Sequence, residues 1–492
     1  MENTGRILQG LTPTARRILF GPTADASIDA ELRYITQVDR AHLVMLAERG
    51  IIDSTSACLL LQTIEELRAL DFAPLRGELA PRGLYLLYEN YLIEKLGAQT
   101  GGILQTARSR NDLNATILLL RLRKPYMKLL TEALRLQAVL LRRARQYSDV
   151  VMPIYTHFQA ALPITYGHYL LGVAVALESN ISGILNASVS LSRSPLGSGS
   201  VGGTTLPIDQ ERTASLLGFD SAAPNSVEAI ASRDIITWLL AGATILGVTL
   251  SRLATDLLLW TTTEFGFITL LDNLVGSSSM MPQKRNPFIL EHIQGRSSSP
   301  LGGFTAAVTA MHSTPFSNSI AVGTEAVGHV WKSLQHITEA TTLARLVVDG
   351  GKPQRQAMLE RAEQGYTSAT ELANRLAMQG GMSFRTAHHI VGSIVREAIE
   401  HQTALQEAAT SKLTQEQNTV SVDGLDPSSV AQASMYGGGP GKESFIKCLN
   451  TTLAQWNKHM RRKRELYEKW READSALDNT IMELVNCETV QV

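Results

Sequence analysis

Three polar stretches hold side chains able to move a proton or grip an anion. "GSSSMMPQKRNPF" (276–288) sets a serine run beside Lys284 and Asn286, with a proline near each end. It reads either as a floppy connector between helices or as a mobile loop that closes over an anionic substrate. "ARSRNDLNAT" (107–116) places Arg108, Arg110 and Asn111 just before a long helical pattern. Alone, that is ordinarily a solvated helix start. "MPIYTHFQAALP" (152–163) puts Thr156, His157 and Gln159 between two prolines in apolar surroundings, where a lone histidine is usually a satisfied core residue.

Other motifs carry less. "GGGPGKES" (437–444) imitates a phosphate loop, but Tyr436 stands where its first glycine belongs and Glu443 where Ser or Thr must meet magnesium. A glycine-rich turn is the better reading. His388 and His389 are adjacent and so face different ways on a helix, and no HExxH or paired CxxC occurs. No metal and no cofactor is expected.

The elements that must position these stretches are helical. Apolar periodicity predicts helices near 31–50, 54–70, 84–96, 112–147, 164–190, 227–263, 287–310 and 322–347, with few strand-like runs. Helices this long, apolar on more than one face, need several neighbours, so a helical bundle and an oligomer are expected. Ile235–Ser251 carries no charge, nor do the residues between Asp149 and Glu178. The first is at the short limit for a membrane span, and the second holds Pro153, Pro163, His157 and His168, so both are read as core helices of a soluble protein. Breaks fall at 74–83, 192–209, 347–356 and 423–444.

The 492 residues suggest about two to four domains. With 45 basic and 46 acidic residues, no overall field points to nucleic acid or a membrane surface. Cys58, Cys448 and Cys487 are sparse and odd in number, which suits free thiols in a reducing, cytoplasmic setting. The opening stretch lacks a sustained apolar run, so no secretory signal is expected.

Taken in order, the three polar stretches resemble the signature regions of the aspartase/fumarase superfamily, and most closely those of argininosuccinate lyase. That family's "RSRND", "YTHxQ" and "MPQKxNP" stand at 108–112, 155–159 and 281–287. Further likeness lies in "SPLGSGSVGGTTLPID" (194–209), "NSVEAIASRD" (225–234), "SRLATDLLLWTTTEFGF" (251–267) and "FRTAHHIVG" (384–392), so it covers nearly the whole chain. The resemblance implies an all-α subunit of three domains, 1–109, 110–350 and 351–492, with a central long-helix bundle. It implies a homotetramer with a core of roughly 20 helices, each active site being built from three subunits.

Members of the superfamily cleave a C–N or C–O bond beta to a carboxylate and release fumarate. The proton lies on carbon next to an ionised carboxylate, and its removal leaves an aci-carboxylate with nearly two negative charges. Stabilising that dianion is the main task. The resemblance assigns it to Lys284 and Asn286, with Ser278 as the base; counting from Gly276 instead would choose Ser277. Arg110, Asn111 and Thr156 are implied to hold the succinyl carboxylates, with Gln159, Ser27, Ser277 and Asn318 also at the substrate. His157 is implied to pair with Glu291.

The pattern departs in the amine-binding half. The family's YNxDxQEDKE reads "SNSIAVGTEA" (317–326), so Ser317, Val322 and Glu325 replace its tyrosine, glutamine and lysine, and only Asn318 is kept. "SIxxD" ends in Glu31, and "EDxH" reads Arg82-Gly83-Leu84-Tyr85. An N-substituted aspartate with an amine other than arginine is expected, as in lyases acting on aminopolycarboxylates such as ethylenediamine-N,N'-disuccinate (EDDS) lyase, or in enzymes joining fumarate to a specialised amine. The alternatives are argininosuccinate lyase proper and a crystallin-like structural protein; the latter would not need the serine, lysine, asparagine and histidine that are all present.

Overall fold

Caps and apolar spacing set the long helices. The computed structural model describes residues 11–21, 23–80 and 83–489, with side chains as far as residue 486. The first ten residues of the opening stretch, Arg82 and the Cys487 side chain lie outside them. Helix α1 (Arg33–Glu48) is followed by α2 (Arg110–Gln146), α3 (Tyr166–Ala187), α4 (Asp234–Trp260), α5 (Phe288–Ser297), α6 (Ser299–Met311), α7 (Ala326–Gly350) and α8 (Lys442–Thr489). A reciprocal capping box between Ser109 and Asp112 starts α2, and the Thr165 hydroxyl accepts the His168 amide to start α3. The fold is all-α, with only short strand pairs.

Two predicted helices are divided. The 227–263 pattern breaks at Ser232–Arg233, where the buried guanidinium donates to the Ile230 and Ser232 carbonyls at 2.9 and 2.6 Å and so satisfies the end of the preceding turn. The 287–310 pattern breaks at Ser298, with Pro300 in the first turn of α6, where its missing N–H costs nothing.

Contacts fix the directions. Gln137 of α2 donates to the Ala174 carbonyl of α3 at 3.1 Å, and Glu132 meets Arg345 of α7 at 3.2 Å. Gln294 of α5 meets Thr255 of α4 at 2.9 Å. With the Arg121–Trp331 and Tyr169–Asp256 pairs, these place α2, α4 and α7 parallel and run α3 and α5–α6 the other way. The bundle thus has an upper end, where α2 begins, and a lower end, where it finishes. At 1.5 Å per residue the 37 residues of α2 span about 55 Å.

Three of the four strand pairs among the described residues gather at the lower end. Val151–Thr156 pairs antiparallel with Gln159–Thr165, and Ile268–Thr269 with Lys352–Pro353. Gly276–Ser277 pairs with Arg285–Asn286.

The helices α3 and α4 are long and apolar enough to cross a membrane by length and composition, with half of each such stretch buried in the fold. On α4 the buried face carries Ile236, Leu239, Leu240, Ala243, Leu246, Leu250 and Leu253. Its opposite face exposes Trp238 at 61%, Ile245 at 58% and Val248 at 55%, an apolar stripe at helical spacing.

Beyond residue 350 the chain divides. Leu372, Leu376, Val391, Ile394, Leu413 and their neighbours form a second, separate core. By contrast, α8 returns to the main core through Phe445, Trp470, Leu477 and Ile481, and is tied to α1 by Arg40–Asp478 at 2.5 Å. Cys58 is buried beside α8, its thiol 3.9 Å from the Val485 carbonyl.

Candidate active site

At the upper end the first turn of α2 alternates anchors and exposed groups. Asp112 is buried; its Oδ1 accepts the Ser109 amide at 2.9 Å, and its Oδ2 accepts the Gly197 and Gly199 amides at 3.0 and 3.1 Å. Burial pushes this carboxyl up, while those amides and the Arg108 charge pull it down. The "GSGSVGG" loop is thereby fastened to the helix start. A Cβ at Gly199 (φ 60°) would lie 2.6 Å from the Gly203 carbonyl oxygen, so only glycine fits there.

Arg110 is exposed at the first helical position, next to Asn111. The Asn111 amide donates to the Ser200 carbonyl at 3.0 Å and its carbonyl accepts from Asn318 at 3.0 Å. Ser200 and Asn318 therefore meet the same helix terminus, whose dipole favours an anion. Close by is Gly323, where a Cβ would sit 3.3 Å from the Asn318 oxygen. Ser27 is half-buried just ahead of a π turn, Ile28–Leu32, and Glu31 in that turn binds Arg121 of α2 at 2.7 Å. Arg121 in turn stacks over Trp331 of α7, 4.4 Å from the ring centre.

The rewritten segment forms a second π turn, Ala321–Glu325, leading into α7. Val322 points inward and is 5% exposed, whereas Glu325 is exposed. Ser317 is half-buried.

At the lower end, Thr156, His157, Phe158 and Gln159 form the exposed tip of the first hairpin. Thr156 pairs with Gln159, leaving a two-residue turn in which His157 (φ 51°) and Phe158 (φ 59°) are both left-handed. That is the turn a twisted hairpin requires, but it is normally made with glycine or asparagine, and each such residue costs about 1–3 kcal/mol. His157 is not the satisfied core residue that a lone histidine usually is; it stands in solvent. Gln159 also lines a cleft of about 1060 Å³, between the hairpin and the second core, with Tyr155, Phe265, Arg361 and Tyr366.

The serine–lysine loop is closed at its base rather than floppy. Its two-residue ladder is held by Arg285, which donates to Asp272 at 2.5 Å and to the Leu270 carbonyl at 2.9 Å. Gly276 lies against the Phe288 ring, which a Cβ would meet at 2.7 Å. Beyond this base, Ser279 to Lys284 are exposed and Asn286 is half-buried. The Ser278 hydroxyl accepts the Met281 and Met280 amides at 3.0 and 3.3 Å. Two amide donors favour the ionised form of a hydroxyl. Ser277 is exposed within the ladder, and Glu291 is exposed on the first turn of α5.

One chain thus brings together Asn111, Asn318 and the Ser200 loop, with Arg110 beside them. It holds the hairpin tip and the serine loop at the other end. Arg233, Ser200 and Asp112 join the site without being singled out by residue type alone; the signals for them are the likeness at 225–234, at 194–209 and in "RSRND" (108–112). Among the described residues, no group of three His, Cys, Asp or Glu side chains is arranged to hold a metal ion.

A lyase family model matches residues 85–302, and an argininosuccinate lyase C-terminal model matches 366–432. The chain is 32% identical to argininosuccinate lyase of Methanocaldococcus jannaschii over 443 residues, 88% of this chain and 91% of that one. It is 36% identical to that of Methanoculleus marisnigri over 388 residues, 78% of each. Among solved structures, EDDS lyase in complex with formate aligns with a TM-score of 0.85 and 27% identity, over 99% of this chain and 98% of that one. A class II fumarase of Schistosoma mansoni aligns at 0.65 and 16% identity, over 80% and 89%, which is a likeness of fold alone.

Proposed function

The chain belongs to the argininosuccinate lyase family of the aspartase/fumarase superfamily and is a fumarate-eliminating carbon–nitrogen lyase; from that premise we propose that its substrate is an N-substituted aspartate whose amine is not arginine. The substrate class is an aminopolycarboxylate such as ethylenediamine-N,N'-disuccinate or a related amine adduct of fumarate. The observation that carries this reading is the 317–326 segment. Asn318 stays hydrogen-bonded to Asn111 on the fumarate side, while Val322 is turned into the core and Glu325 carries the opposite charge to the family's lysine. The likeness to EDDS lyase over nearly the whole chain supports it.

In the proposed anti β-elimination, Ser278 takes the proton from the carbon beside the carboxylate. The electron pair moves into that carboxylate, giving the aci form, which Lys284 and Asn286 stabilise; one well-placed donor is worth about 3–4 kcal/mol. Collapse forms the C=C bond of fumarate and breaks the C–N bond, the substrate nitrogen, already protonated, leaving with the bonding pair as a neutral amine. The amides on Ser278 favour it over Ser277 as the base. Arg110, Asn111 and Thr156 grip the carboxylates, with Gln159 and Ser27 at the substrate. His157, paired with Glu291, handles charge at the leaving nitrogen.

These groups meet only between copies. With the two ends about 55 Å apart in one chain, the site is shared among three subunits of a homotetramer, and the exposed stripe on α4 supports a contact face there. Sparse cysteines support a cytoplasmic location.

The test runs the reaction backwards: purified protein, excess fumarate and a panel of arginine, ammonia, ethylenediamine and amino acids, with adducts identified by mass spectrometry. Adducts with diamines or other amino acids, but not arginine, are expected. An adduct with arginine alone would restore argininosuccinate lyase proper and overturn the amine reading.

A further inference from the structure

Ahead of Arg110 the chain is fastened residue by residue. The His42 ring nitrogen meets the Thr106 carbonyl at 2.9 Å, and burial drives this histidine's pKa down to about 3, so the neutral ring donates. Ala107 is left-handed, with φ 58°. Arg108 then turns inward, its guanidinium bound to Asp39 at 2.5 Å and to the Tyr85 hydroxyl at 2.9 Å, with both ion-pair side chains fully enclosed. Burial alone would push the arginine down, but the Asp39 carboxylate outweighs it and the guanidinium stays charged. Asp39 and His42 lie one turn apart on α1, and Tyr85 opens the helix Leu84–Gly101. Tyr85 is also where this sequence leaves the family's "EDxH".

A buried ion pair contributes little net stability compared with apolar packing, so its presence calls for another reason. Ser109 and Asp112 are locked on the other side by the capping box and the glycine loop. Between these two sets of anchors only Arg110 and Asn111 face outward.

We propose that Asp39, Arg108 and Tyr85 are positioning residues, a buried brace that fixes the start of α2 and so aims Arg110 and Asn111 at the succinyl carboxylates. The inference rests on the functional reading above. Its effect is confined to the fumarate half: loosening the brace weakens the grip on fumarate and leaves the grip on the amine alone.

The test measures fumarate binding by calorimetry without amine, then KM for fumarate and for the amine in the addition direction. Tyr85→Phe removes one hydrogen bond to a charged group with little change of shape, and Arg108→Lys keeps the charge but loses the fork. Fumarate affinity is expected to fall about 3- to 10-fold in Tyr85→Phe and further in Arg108→Lys, with the amine KM unchanged and Tyr85→Phe melting as a native protein. Unchanged fumarate affinity in a folded Tyr85→Phe would overturn the brace. So would fumarate and amine constants shifting alike, which is the mark of a merely structural role. Wild-type protein that binds no fumarate would overturn the functional reading as well.

Discussion

The two ends of the bundle offer chemistry in opposite ways. At the upper end the outward pair, Arg110 and Asn111, is framed by buried polar groups whose hydrogen bonds all go to fixed backbone or to each other. At the lower end, His157 and Lys284 stand on exposed turns, their bases held by Tyr155 packed on Phe265 and by Arg285 on Asp272 and the Leu270 carbonyl. The difference teaches a division of labour: a rigid terminus suits recognition of a carboxylate, and a projecting turn suits the proposed site, in which a group must travel to a substrate held by another subunit.

Breaking the lower end should cost the most turnover and the least stability. Ser278→Ala is expected to lower kcat by about 10²- to 10⁴-fold, as for loss of a general base. Lys284→Met should follow at about 10²- to 10³-fold, as for loss of one charge-stabilising donor. Both residues lie on the loop beyond its ladder, so melting temperatures should stay within a degree or two of wild type, which steady-state kinetics and calorimetric melting check together. Full turnover in Ser278→Ala would end its assignment as base.

Breaking the upper end should cost stability as well as activity. Gly199→Ala puts a Cβ against the Gly203 carbonyl in a left-handed residue, and a loss of about 1–3 kcal/mol in denaturant unfolding is expected, with weaker fumarate binding.

The remaining test of the upper end is a pH dependence. His42 has a folded pKa of about 3 against an unperturbed 6.5. Below pH 6.5 the unfolded chain takes a proton that the folded chain refuses, so the contribution is complete above 6.5 and is lost as pH falls toward 3. The slope is at most roughly 1.4 kcal/mol per pH unit. His42→Gln, which keeps a donor for Thr106, should remove this share of the acid sensitivity in unfolding midpoints measured from pH 7 to 4.

Much of this was legible in the residues. The long helices follow from apolar spacing, and "RSRND" and "MPQKRNP" mark a helix start and a loop whatever their role. The length of α2 alone separates Asn111 from His157. What stayed hidden depends on side-chain direction: nothing in "RSRND" says that Arg108 turns in and Arg110 out, because Asp39 and Tyr85 are distant in sequence. The inward turn of Val322 hides behind an apolar residue in a polar segment. The return of α8 to the main core arises from its packing on α2 and α3, where Trp456 donates to the Leu134 carbonyl and His459 meets Glu178, beyond the reach of local pattern.

The most direct test of a site assembled from opposite ends of different subunits mixes two crippled chains. Ser278→Ala and Asn111→Ala protein would be dissociated, combined and reassociated, with mixed tetramers verified by native mass spectrometry. Fumarate–amine adduct formation would then be measured. Activity well above either parent is predicted, because some sites would receive an intact loop from one chain and an intact helix start from the other. Mixed tetramers as inactive as their parents, or a fully active monomer, would contradict it.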